Sequence, residues 1–122
     1  MADPCNSSGV AAYVLGVEES RAVALLSSEL GTLICEDGNP DGFRIYAAGA
    51  VTVVVISSEG ALEIWVHHSK AWPSSPAFAR FLAAGLGCTV RCDPGAEAPD
   101  LDPCSDALLE IDREGERIVT LS

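Results

Sequence analysis

Positive charge is scarce in this chain. Its 122 residues hold seven lysines and arginines against eighteen aspartates and glutamates, a formal net charge of −11. Such a surface repels phosphate backbones and anionic headgroups, so neither nucleic acid nor an anionic membrane is expected as a partner. Long apolar runs are missing too. Nothing approaches the ~18 residues of a membrane span, and the most apolar stretch, Gly49–Ile56, is only of strand length. The opening MADPCNSSG has neither the basic region nor the apolar core of a secretory signal. There is no phosphate-binding glycine loop, and no serine stands in a recognisable nucleophile motif. Five cysteines are an odd number for a disulfide framework. Without a signal, the expectation is a cytoplasmic protein with reduced thiols.

What is present is enough for a core. Hydrophobic residues make up 48% of the chain, and the length suits one domain. The chain is organised around Ser75–Gly95, SPAFARFLAAGLGCTVRCDPG. Ser75 is placed to cap a helix, with Pro76 at its first position. Phe78, Phe81, Leu82 and Leu86 recur at helical spacing. Gly85 and Gly87 offer stops, and Cys88–Asp93 then alternates as a strand. The earlier LGTLICEDG, Leu30–Gly38, echoes LGCTVRCDPG, Leu86–Gly95, once Cys88 is taken as an insertion. This suggests an internal duplication, 10–58 and 61–121, behind a loose N-terminus at 1–9.

Read in order, Val10–Val17 is a strand, and Glu18–Leu30 a helix with Val23, Leu26 and Leu30 as its inner stripe. Strands follow at Thr32–Glu36, Phe43–Ala47 and Ala50–Ser57. AVTVVVI in the last of these is apolar throughout, as in a strand covered on both faces. Ala61–His68 is the next strand, with Leu62, Ile64, Val66 and His68 on one face and Glu63, Trp65 and His67 on the other. The central helix and its strand come next, then a proline-rich loop, Pro94–Cys104, and a closing hairpin, Ser105–Asp112 with Glu116–Leu121. The fold class expected is α+β: an antiparallel-rich sheet from two strand–helix–three-strand halves, with two helices packed on one face.

Three constellations invite chemistry. Asp37-Gly-Asn-Pro-Asp-Gly42 begins like a calcium loop, but position 12 is Ala48, and a β-turn explains the segment better. Cys88, Cys92 and Cys104 with His67 and His68 suggest zinc. Cys88 and Cys92 on one strand would lie roughly 13 Å apart, too far for one tetrahedral ion. Neither metal nor cofactor is expected. His67 and His68 lack an orienting carboxylate and a nucleophile beside them in sequence, so catalytic residues are not expected and the chain is read as no enzyme.

Acid is unevenly spread: nine of the eighteen carboxylates fall between Asp93 and Glu116. Trp72, next to Pro73, is either an interface anchor or a lid over the central helix. The candidate partner-binding residues are Trp72, Asp93, Glu97, Asp100 and Asp102.

Two resemblances bear on function. The paired strand–helix–three-strand order is similar to the vicinal oxygen chelate fold of glyoxalases and bleomycin-resistance proteins. That family carries metal ligands on the first and last strands of each module. Tyr13–Val17 and Val51–Ile56 offer none here, and His67 or His68 alone would match in the second module. This departure removes the metal chemistry. The SPAFARFLAAGLGCTVRCDPG stretch and PCSDALLEI, Pro103–Ile111, resemble small acidic immunity proteins of bacterial polymorphic toxin systems. That resemblance implies a stoichiometric inhibitor that binds a toxin domain with a basic surface and covers its active site. The alternative is a small-molecule-binding or sequestering protein of vicinal-oxygen-chelate-like architecture.

Overall fold

The computed structural model describes residues 9–38, 42–95 and 107–120. Within them the chain runs β1 (Val10–Leu15), α1 (Glu19–Leu30), β2 (Ile34–Gly38), β3 (Phe43–Ala48), β4 (Val51–Ser58), β5 (Ala61–His67), α2 (Ser75–Leu86), β6 (Val90–Cys92), β7 (Ala107–Asp112) and β8 (Gly115–Thr120). The eight strands form one antiparallel sheet in the order β2-β3-β4-β5-β1-β6-β7-β8. The expected α+β class and the strand–helix–three-strand order, twice over, are both present. The halves fill the sheet differently. β2, first after α1, is an edge strand, whereas β6, first after α2, pairs with β1 in the interior.

Local chemistry explains both helices. α2 starts behind Ser74, whose hydroxyl accepts the Ala77 N–H at 3.2 Å. The cap is therefore Ser74 and not Ser75. Ser75 Oγ instead accepts the Ala11 N–H of β1 at 3.1 Å, tying the helix to the central strand. Gly85 does not stop α2. The helix ends at Gly87, whose left-handed backbone (φ 63°, ψ 39°) sends its N–H to Ala83 O at 2.9 Å. α1 ends at Gly31, whose N–H bonds Ser27 O at 3.0 Å.

Strand alternation puts Val14, Val53, Val55, Ile64, Val66 and Val90 on the helix side, where all are fully buried. Phe78 and Leu82 of α2 and Leu26 of α1 close over them. Burying each such side chain contributes about 1.5–3 kcal/mol before chain entropy is counted. Gly85 lets the two helices touch, because it faces Leu25 directly. Arg21 of α1 also donates to the Leu86 carbonyl at the end of α2, at 3.2 Å.

Three sequence expectations change here. β4 lies inside the sheet, paired by β3 and β5. It is covered on one face only: Val53 and Val55 are buried, while Ile56, on the other face, is exposed. Cys88 precedes β6 and is not part of its alternation. His68 leaves the strand at φ 65°, a left-handed conformation, and does not continue the face of Leu62, Ile64 and Val66. The turn residues 39–41 lie outside the described residues.

Candidate binding face

Among the described residues, the helices cover one face of the sheet and leave the other open. The open face is made of alternate strand residues, and register brings them into rows. Tyr13 of β1 lies opposite Glu63 of β5, Glu63 opposite Ile56 of β4, and Ile56 opposite Phe43 of β3. On the other side Tyr13 lies opposite Arg91 of β6, Arg91 opposite Glu110 of β7, and Glu110 opposite Arg117 of β8. A second row sets Ala11, Trp65, Val54 and Ile45 side by side.

The row is apolar at one end and ionic at the other. Tyr13, Phe43, Ile56 and Trp65 are all exposed, Trp65 to 37%, and Ile34 on the edge strand β2 to 65%. An antiparallel sheet with a solvated face ordinarily presents polar residues there. Contiguous exposed apolar patches are a feature that interaction surfaces share. Trp65 and His67 stack in parallel, their ring centroids 6.2 Å apart and their planes 8° from parallel. The Trp65 indole N–H donates to the Glu63 carboxylate at 2.7 Å.

At the ionic end, Arg91 Nε and Arg117 Nη1 reach opposite oxygens of Glu110 at 2.8 and 2.7 Å. Arg117 also holds Asp112, at 2.9 and 3.0 Å. Bonds from Arg91, then Arg117, hold the Glu110 carboxyl below its usual range. Arg117, with the Glu114 N–H, lowers that of Asp112 to about 2. These carboxylates raise the Arg117 guanidinium in return, Asp112 most. The network links β6, β7 and β8 across this face.

A separate cluster lies on the helix side. Glu19, in the first turn of α1, accepts from Arg44 Nη1 at 2.7 Å and from the Tyr46 hydroxyl. Burial, and then this bond to a carboxylate, push the Tyr46 phenol up to about 12. It ties α1 to β3 and faces away from the open surface.

The residues singled out in the sequence fall apart spatially. Trp72 is only 8% exposed, its ring 4.7 and 4.9 Å from those of Phe78 and Phe81. That is the lid position, and the exposed tryptophan is Trp65. Asp93 is exposed and accepts the Gly95 N–H at 2.8 Å. Glu97, Asp100 and Asp102 lie outside the described residues. Among the described residues, no three of histidine, cysteine, aspartate and glutamate gather to hold a metal ion. Cys92 is buried, Cys35 exposed, and burial pushes the half-buried Cys88 thiol up. The sequence reading passed over Tyr13, Phe43, Ile56 and Trp65 as a surface. Its signal was the AVTVVVI run, whose missing alternation reflects an apolar open face.

No helix among the described residues is long and apolar enough to cross a membrane. No protein-family model, curated protein or solved structure matches the chain.

Proposed function

We propose that this chain is a non-catalytic binding protein that neutralises a cognate bacterial toxin effector by direct stoichiometric binding. The observation that carries the reading is the open sheet face, with Trp65, Tyr13, Phe43 and Ile56 exposed together on adjoining strands. Aromatic side chains set in such a patch are the usual anchors of protein interfaces. The net charge of −11 adds direction. Toxins that attack nucleic acids or nucleotides present basic clefts, and an acidic inhibitor is steered to them and associates faster.

In this reading Trp65 anchors the contact, and Trp72, packed on Phe78 and Phe81 on the other side of the sheet, belongs to the core. Asp93, exposed two residues after Arg91 of β6, adds acid beside the face, while Glu97, Asp100 and Asp102 lie outside the described residues. The protein works in the cytoplasm, where it meets the toxin before the toxin meets its substrate. Tagged protein drawn from its native host at moderate salt should bring one stoichiometric protein. That protein should be toxic when expressed alone and harmless when co-expressed with this chain. Recovery of no partner, or of one that is harmless alone, contradicts the reading.

A further inference from the structure

Glu63 is the carboxylate that stands beside Tyr13, Ile56 and Trp65 on the open face. Glu63 stands opposite Tyr13 on one side and Ile56 on the other, with Trp65 two residues along the same strand. Its hydrogen bond among the described residues is the one from the Trp65 indole, a neutral donor. The nearest arginine in its row, Arg91, is already held by Glu110. Any partner that covers Tyr13, Ile56 and Trp65 strips water from Glu63. A carboxylate desolvated without a cation is strongly unfavourable, so a fitting partner must bring one.

The surroundings select which cation. Aromatic rings beside a carboxylate suit a guanidinium, which stacks on ring faces while its fork bonds the oxygens, better than they suit a compact ammonium. A second copy of this chain is disfavoured, because each copy brings a net charge of −11 and Glu63 itself. We infer that Glu63, between Tyr13 and Trp65, is the receiving site for an arginine side chain of a basic partner protein docked on the open face. This inference rests on the reading of the chain as a partner-binding protein.

The probe is a tripeptide, acetyl-Leu-Arg-Leu-amide, titrated into the isotopically labelled full chain and followed by nuclear magnetic resonance. Its counterpart carries citrulline, which keeps the shape of arginine and removes the charge. The arginine peptide should shift the Trp65 indole and the Tyr13 and Glu63 amide resonances saturably. Citrulline, or Glu63→Gln in the protein, should weaken binding about tenfold or more. The dispersion of the remaining resonances reports directly that the variant is folded.

Equal shifts with citrulline, shifts mapping elsewhere, or no shifts at all would overturn the site. So would shifts at these residues that grow with protein concentration alone, since they would make the face a contact between copies. The titration needs no toxin. The growth test above can therefore fail while this site holds, and the site can fail while the growth test succeeds.

Discussion

Trp65 donates its indole N–H to Glu63 at 2.7 Å, on the face of the sheet opposite α1 and α2. Trp72 is buried against Phe78 and Phe81 on the opposite side. The two tryptophans should therefore separate stability from recognition. Trp72→Ala leaves a cavity over α2 and should cost about 3–5 kcal/mol. Trp65→Ala should cost about 1 kcal/mol, the span of residue preferences on a half-exposed strand. Urea denaturation of both variants measures this, and equal losses would contradict the assignment of faces.

Helix contact gives a second prediction. A Cβ on Gly85 would sit 2.6 and 2.8 Å from the two methyl carbons of Leu25. Replacing a helical glycine by alanine normally helps by about 0.5–1 kcal/mol, but overpacking costs about 1–3 kcal/mol. Leu25 is only half-buried and its methyl ends can turn aside, so Gly85→Ala should gain less than the full helical amount of about 0.5–1 kcal/mol. In a Leu25→Ala background the same change should gain all of it. A double-mutant cycle of denaturation midpoints measures the coupling, and additive effects would mean that the helices do not touch there.

Acid should reveal the network at the other end of the open face. Asp112 and Glu110 have carboxyls lowered by arginine partners. A carboxyl lowered in the folded chain contributes fully above its ordinary range and loses that contribution as pH falls through its folded value. For Asp112 the loss runs from 3.8 down to about 2. Arg117→Gln should lower the urea midpoint slightly at neutral pH, since the Arg117 side chain is itself more than a third exposed and solvent screens its pairs. The gap from the native chain should close as pH falls through that window, and added salt should narrow it at neutral pH. A gap independent of pH would show that the arginine acts through its apolar stem alone.

Alkali tests the helix-side cluster. Tyr46 is raised to about 12 by burial and by its bond to Glu19. A phenol raised in the folded chain contributes fully below its ordinary value of 10.0 and loses that contribution as pH rises towards about 12. Phenolate absorbance should contain a late component that disappears in Tyr46→Phe and moves to lower pH in Glu19→Gln. A late component unchanged by Glu19→Gln would place its origin in burial alone.

Much of this architecture is written in residue spacing. Leu62, Ile64 and Val66 alternate with Glu63, Trp65 and His67, and that alternation is the one the sheet uses. Phe78 and Leu82 lie on the buried side of α2 as their spacing requires. Ser74 and Ser75 are chemically alike as caps, and only the β1 backbone, which bonds Ser75, leaves Ser74 to cap the helix. The apolar character of the open face is not legible in the same way. A run such as AVTVVVI is equally apolar whether a helix or a partner protein covers its second side. Which side α1 and α2 take is a matter of tertiary packing, and strand periodicity does not encode it. The strand order is likewise long-range: nothing local distinguishes β2 at the edge from β6 inside.

The most direct test of the account is growth of cells that express the co-purified partner together with this chain or with its Trp65→Ala variant, both confirmed to be folded and equally abundant. The account predicts rescue by the native chain and loss of rescue by Trp65→Ala, with binding weakened by about 2 kcal/mol or more, as for an interface anchor. Rescue undiminished by Trp65→Ala would contradict it.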